Sequence, residues 1–300
     1  MAADGYLDSR ARLGGNVGAV IGGGGGIGAA ISLSLARAGL DLAVCDIDQA
    51  ALEQTASAIR QVGQRIMAMP VDVMSTGALD EFFDQIEREF SRLDVVVNVA
   101  GGTRRVEFSA LSQEEIEADI RRNYGYVVQS VQRSIPLIRR SGEGGSIINL
   151  TTIEAHRGAA GFAVYAGAKA ATANFTRAMA VELGKDRIRL NCIAPDTTPS
   201  QGNTKALPAH FCEAFQHLSA EAQLQGLSMY VPCGEPPPAD AIADAVLFLS
   251  SDLSKYVSGM TLHVDGGTMA AGGFLDWPHG DGFVPTPLAG TLARLFGNEN

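Results

Sequence analysis

Short uninterrupted apolar runs alternate along this 300-residue chain with longer stretches whose apolar residues recur every three or four positions. The first pattern reads as a strand buried on both faces, the second as an amphipathic helix. Strands are predicted over NVGAVI (16–21), DLAVCD (41–46), RIMAMPVDV (65–73), DVVVNVAG (94–101), GSIINLTT (145–152), IRLNCIAP (188–195) and GMTLHVDGG (259–267). Helices are predicted from about 27 to 40, over 48–63 behind the capping residue Asp48, and over 75–93, 112–140, 162–184 and 239–254. Strand and helix in strict alternation imply an α/β fold, a parallel sheet covered by helices on both faces. The expected architecture is a single doubly wound domain over 1–300, with seven parallel strands in the order 3-2-1-4-5-6-7. The composition shifts twice, in the Pro- and Met-containing segment 196–238 and in the tail 268–300.

Between the first strand and the first long helix stand five consecutive glycines, in AVIGGGGGIGAA. Glycine loses more conformational freedom on folding than any other residue, so five together need a purpose. Strand, glycine turn and helix together let backbone N–H groups meet a phosphate at a helix N-terminus. A flexible linker would carry polar residues and separate domains, whereas these glycines lie inside an apolar unit.

Bulk properties narrow the partners. The net charge is −10, and 19% of residues are charged with no basic run, which argues against nucleic acid and anionic membrane. The first fifteen residues have no apolar core of a secretory signal, and no apolar stretch of membrane-spanning length lacks Gly or charge. Cys45, Cys192, Cys212 and Cys233 form no C-x-x-C pair, which fits reduced thiols in a cytoplasmic protein and no metal site.

Two further features bear on chemistry. Tyr165 and Lys169, in YAGAK, are four apart and share a helix face at the start of the helix after strand five. A phenol with a pKa of about 10 is a poor base near neutrality, and an adjacent ammonium is expected to lower it. Asp46 ends the second strand, roughly 20 residues beyond the glycine turn, where a carboxylate can bind a ribose 2′-hydroxyl and repel a 2′-phosphate. That favours NAD over NADP.

In order and spacing, these motifs resemble the short-chain dehydrogenase/reductase family over about residues 16–267. The turn reads Gly22-x-x-x-Gly26-x-Gly28, with Ile21 where the family usually has Thr. The resemblance implies a Rossmann-type fold, hydride transfer with a nicotinamide cofactor, and a small-molecule alcohol or ketone as substrate. It makes Tyr165 the acid/base, Thr152 the hydroxyl that orients the substrate oxygen in place of the usual serine, and Asn123 the water-holding partner of Lys169. It assigns Gly22, Gly26, Ile27, Gly28, Asp46, Ile47, Asp72 and Val73 to the cofactor. NVAG adds Asn98, Ala100 and Gly101, with Val99 replacing an asparagine. Lys169 also holds the ribose, and Pro195 is followed by Asp196 where the family has Gly, which puts a carboxylate near the nicotinamide. Segment 196–238, with Phe211, Phe215, Leu218, Leu224, Leu227, Met229 and Tyr230, occupies the substrate-loop position and suits an alicyclic, aromatic or steroid-like substrate, or is ordinary packing for a helical lid. Arg104, Arg105 and His156 could meet a carboxylate or thioester, or be solvated surface. The alternatives are a 3-oxoacyl-thioester reductase and a non-catalytic NAD-binding redox sensor. An enoyl reductase would space its Tyr and Lys more widely. The resemblance further implies a homotetramer built on the helices at 112–140 and 162–184. Family chains commonly end soon after VDGG (264–267). The tail beyond it, with Phe274, Trp277, Phe283, Leu292, Leu295 and Phe296, is expected to pack across a neighbouring subunit or back on its own.

Overall fold

A computed structural model describes residues 5–196, 198, 217–277 and 282–285. In chain order the elements are α1 (Tyr6–Ala11), β1 (Val17–Ile21), α2 (Gly26–Arg37), β2 (Asp41–Asp46), α3 (Gln49–Val62), β3 (Ile66–Pro70), α4 (Ala78–Phe90) and β4 (Val95–Asn98). They continue with α5 (Gln113–Ile120), α6 (Tyr126–Ser141), β5 (Gly145–Leu150), α7 (Ala163–Glu182), β6 (Ile188–Pro195), α8 (Ala220–Tyr230), α9 (Ala239–Ser250), β7 (Thr261–Val264), α10 (Thr268–Ala271), β8 (Phe274–Asp276) and β9 (Phe283–Pro285). Strands β1 to β7 form one parallel sheet in the order β3-β2-β1-β4-β5-β6-β7, as expected.

Alternate residues of the central strands feed two separate cores. On one face Ala19, Ile21, Ala43, Val96, Ile147 and Leu190 pack with Leu79, Phe82, Phe83 and Ile86 of α4 and Val127 and Val131 of α6. On the other, Val20, Leu42, Val44, Val97, Ile148 and Ile193 pack with Ile31 and Leu35 of α2, Leu52 and Ile59 of α3, and Ile242, Val246 and Leu249 of α9. Strands sandwiched this way have no solvent face, which is why their sequences run apolar without alternation. The strand order reverses beside β1, whose neighbours are β2 and β4. A crevice opens there at the carboxyl ends of the strands, where open α/β sheets bind ligands.

Three features differ from the expected elements. The single helix over 112–140 is α5 and α6 joined by a π-helical turn, Arg121–Gly125. Strand β3 stops at Pro70, and the chain then turns around Asp72, whose carboxylate accepts the Met74 N–H at 2.9 Å. The tail residues Phe274–Asp276 pair antiparallel with Phe283–Pro285 and lie beside α8 of the same chain, so this part of the tail folds back on its own subunit. Trp277 is buried there. Phe211, Cys212, Phe215, Leu292, Leu295 and Phe296 lie outside the described residues. No helix among the described residues is long and apolar enough to cross a membrane.

Candidate active site

The glycine turn is shaped by close approach. Gly22 has φ +85°, and a Cβ there would stand 2.5 Å from the Ala100 backbone nitrogen. A Cβ on Gly28 would stand 1.9 Å from the Gly22 carbonyl oxygen, so α2 could not sit this near the turn with any other residue. The Gly22 and Gly23 N–H groups both donate to the Cys45 carbonyl, at 2.8 and 3.0 Å, tying the turn to β2. Asp46 at the end of β2 completes the tie: its carboxylate accepts the Gly24 N–H at 2.9 Å and the Asp48 N–H at 3.0 Å.

From this turn a cavity of about 1130 Å³ runs across the sheet. One end is walled by Gly22, Gly26, Ile27, Gly28, Asp46, Ile47, Asp72 and Val73, and the middle by Ala100 and Gly101. Thr152, Tyr165, Lys169, Pro195 and Asp196 wall the other end. Of the residues assigned to the site from sequence, only Asn98 and Asn123 are not in this wall. Asn98 is fully buried inside the sheet, where its amide donates to Asn149 at 2.8 Å. Asn123 sits behind the wall, its side chain accepting the Gly102 N–H at 3.1 Å and donating to the Gly102 carbonyl at 3.0 Å. The π-helical turn carries Asn123 into this position, a common place for such turns.

Lys169 is buried at the end of the cavity walled by Thr152 and Tyr165, its ammonium donating to the Leu150 carbonyl at 2.8 Å. A Cβ on Gly101 would approach that Nζ to 3.3 Å, so glycine there leaves room for the lysine head. Burial lowers the Lys169 pKa to about 8, against a smaller upward pull from Cys192. Tyr165 departs from expectation. Its pKa rises to about 12, because burial and then the Glu154 carboxylate outweigh the opposing hydrogen bond with Thr152. Lys169 does not bring it down: its Nζ lies 6.0 Å from the Tyr165 ring centre and is committed to Leu150.

Glu154 was missed in the sequence, although a carboxylate two residues past Thr152 at the mouth of β5 was visible there. It lines the cavity. One carboxylate oxygen accepts the Thr152 hydroxyl, and the other accepts Arg157 at 2.9 Å. Arg157 also donates to the Tyr230 hydroxyl at 2.6 Å, which fastens the C-terminal end of α8 to the loop after β5. Burial raises the Tyr230 pKa to about 12 despite Arg157. Of the cations considered for an anionic substrate, Arg104 is paired with Glu115, and His156 stacks edgewise on His263 with ring centres 4.8 Å apart.

A glycine cradle at the sheet's switch point, an acid at the end of β2 and a Tyr-x-x-x-Lys pair in one wall define a dinucleotide-binding oxidoreductase. The chain belongs to the short-chain dehydrogenase/reductase family: the family model described as Enoyl-(Acyl carrier protein) reductase matches residues 22–269. It is 33% identical over 242 residues to the 2,3-dihydro-2,3-dihydroxybenzoate dehydrogenase of Bacillus subtilis, covering 81% of this chain and 91% of that one. It is likewise 33% identical over 250 residues to a 3-oxoacyl-acyl-carrier-protein reductase of Chlamydia trachomatis, covering 83% and 95%. Among solved structures it is similar to carveol dehydrogenase from Mycobacterium avium in complex with NAD, with TM-score 0.78, 28% identity and coverage of 87% and 99%.

Proposed function

We propose that the protein is an NAD-dependent dehydrogenase that interconverts a secondary alcohol and its ketone. The observation that carries this reading is the shared cavity: the Gly22–Gly28 cradle and Asp46 form one end, and Thr152, Tyr165 and Lys169 the other. The cradle fits a dinucleotide: a Cβ at Gly22 would meet the Ala100 backbone and one at Gly28 the Gly22 carbonyl, so glycine at both lets α2 begin close against the turn, where its N-terminal N–H groups can meet a pyrophosphate. Asp46 and Ile47 would hold the adenosine ribose, Asp72 and Val73 the adenine, and Lys169 the nicotinamide ribose. Once bound, the nicotinamide supplies the hydride acceptor for an alcohol or the hydride donor for a ketone.

The chain's own residues handle the oxygen and its proton. Thr152 positions the substrate oxygen against Tyr165, and Tyr165 passes the proton. A phenol held at about 12 is protonated at neutral pH, so it has a proton to give to a ketone oxygen but is a weaker acid than an ordinary phenol, and the alcohol direction needs help in removing its proton. The four-residue spacing of Tyr165 and Lys169 supports alcohol–ketone chemistry over enoyl reduction. The resemblance to carveol dehydrogenase supports an alicyclic substrate, and the resemblance to a 3-oxoacyl reductase makes a thioester ketone the second reading. We propose a homotetramer as well, supported by Val181 on α7 and Tyr256 before β7, which are 84% and 94% exposed. Light scattering would report the mass.

The test mixes protein with NAD⁺ and a panel of secondary alcohols, and with NADH and a panel of ketones and 3-oxoacyl thioesters, while following nicotinamide absorbance. Turnover of a secondary alcohol is the expected result. Tight NAD binding without turnover of any member would leave a redox sensor as the better reading.

A further inference from the structure

The Glu154 carboxylate is fixed by its own chain and still faces the cavity. Thr152 donates its hydroxyl to one carboxylate oxygen, and Arg157 donates to the other at 2.9 Å. Arg157 is anchored in turn on the Tyr230 hydroxyl at 2.6 Å, so Glu154 cannot turn away without breaking this set. Its side chain is 19% exposed and lines the cavity at the end shared with Thr152, Tyr165, Phe162 and Pro195. A carboxylate has about four lone-pair positions, so those left after Thr152 and Arg157 are open to a donor arriving through the cavity.

We propose that the substrate is a vicinal diol, and that Glu154 selects it by accepting a hydrogen bond from the hydroxyl beside the reacting one. The inference rests on the dehydrogenase reading above and names its substrate class. In that reading the reacting oxygen sits on the Thr152 hydroxyl oxygen, the same atom that is bonded to Glu154. Two groups hydrogen-bonded to one oxygen lie about 4 to 5 Å apart, and a neighbouring hydroxyl oxygen lies about 3 Å from the reacting one, so it can span the gap. The reacting C–H passes its hydride to NAD⁺, the reacting O–H passes its proton by way of Tyr165 to water, and the product is an α-hydroxyketone. The second hydroxyl is unchanged.

The rest of the wall fits a neutral hydroxylated ring better than an acid. Phe162 and Pro195 offer apolar surface for ring carbons. Asp196 adds a second carboxylate to the same end. Among the described residues of the wall the cations are Lys169, committed to the Leu150 carbonyl, and Arg122, paired with Asp119 at 3.3 Å. Arg157 is not part of the wall, so it offers a ligand no charge directly. A carboxylate in place of the second hydroxyl would meet Glu154 as a like charge, whereas a hydroxyl gives it a charge-assisted hydrogen bond.

The test compares kcat/KM with NAD⁺ for cis- and trans-1,2-cyclohexanediol, cyclohexanol and 2-methoxycyclohexanol. The better diol should exceed cyclohexanol about 10-fold, and the methoxy compound, whose second oxygen has no hydrogen to donate, should not. The ratio of diol to cyclohexanol is then followed in variants, because a general loss of catalysis or of folded protein cancels in it. Glu154→Gln, a neutral acceptor of the same size, should lower the ratio to about threefold, and Glu154→Met should bring it to about one. A wild-type ratio near one, a methoxy compound as good as the diol, or a ratio unchanged in Glu154→Met would overturn the proposal and leave Glu154 a support for Thr152. Binding is measured separately by calorimetry on Tyr165→Phe loaded with NAD⁺, where the diol should bind about 10-fold more tightly than cyclohexanol and equal affinities would overturn the proposal. Failure of the wild type to oxidise any of these alcohols would count against the dehydrogenase reading instead, and the calorimetry would still decide the diol subsite.

Discussion

Removing the Asp46 charge should relax the choice between NAD and NADP, and the structure sets the size of the effect. Asp46 is held against the glycine turn by the Gly24 N–H at 2.9 Å and the Asp48 N–H at 3.0 Å, so its carboxylate cannot swing away from an incoming ligand without losing both bonds. The cavity wall around it, Ile47, Asp48, Ala51, Gln54 and Thr55, offers no cation. A 2′-phosphate on the adenosine ribose would lie about 5 Å away. At an effective dielectric near 20 each phosphate charge then costs about 3 kcal/mol. A phosphate carries up to about two charges, and halving the sum for the solvent-open side leaves about 3 kcal/mol, or about 100-fold. Asp46→Asn should remove most of this penalty while an amide oxygen still accepts from Gly24. Asp46→Ala should relax the choice too, but it also releases the turn and should weaken NADH. Fluorescence titration of NADH and NADPH against the three proteins measures all of these terms. Wild-type protein that binds and uses NADPH as well as NADH would refute the reasoning, as would an Asn variant whose preference is unchanged.

Three other outcomes follow from the site. Thr152→Ser should remain active and Thr152→Val should not, measured as kcat/KM for the alcohol, because the proposed role of Thr152 toward the substrate oxygen needs the hydroxyl and not the methyl group. Lys169 has a folded pKa near 8 against an ordinary 10.5, so between those values the unfolded chain binds the proton that the folded one has lost, and stability rises with pH. Lys169→Met should therefore gain up to about 3 kcal/mol over wild type at pH 7 and less at pH 10, read from denaturant midpoints; the raised Tyr165 pKa acts in the opposite sense only above pH 10 and is common to both proteins. Asp196 lines the catalytic end and at about 8 Å would favour the positive oxidised nicotinamide by about 2 kcal/mol, so Asp196→Gly should shift the ratio of NAD⁺ to NADH dissociation constants about 30-fold toward NADH.

The scaffold was legible in the sequence because its cause is local. Runs such as VGAVI and DLAVCD have no polar face, so they belong in a two-sided sheet, and the glycine turn after the first of them marks the crevice. Asp46, Tyr165 and Lys169 were legible for the same reason: each lies at the end of a strand or the start of a helix whose position the pattern predicts. What escaped depends on tertiary neighbours. The π-helical turn at Arg121–Gly125 adds no residue type that marks it, yet it carries Asn123 to Gly102. Arg157 meets Tyr230 across 73 residues of sequence, and the fold-back of Phe274–Asp276 on α8 depends on packing that no periodicity reveals. The rise at Tyr165 was missed because the expected lysine effect was weighed without the burial of the phenol and, after it, the Glu154 carboxylate.

Replacing one oxygen tests the central claim most directly. Tyr165→Phe keeps the ring that lies beside Lys169 and removes the hydroxyl proposed to pass the substrate's proton. Nicotinamide absorbance with NAD⁺ and a secondary alcohol turned over by the wild type should show turnover reduced at least about 1000-fold, with the NADH dissociation constant within about twofold. A phenylalanine variant that turns over at the wild-type rate would contradict the account.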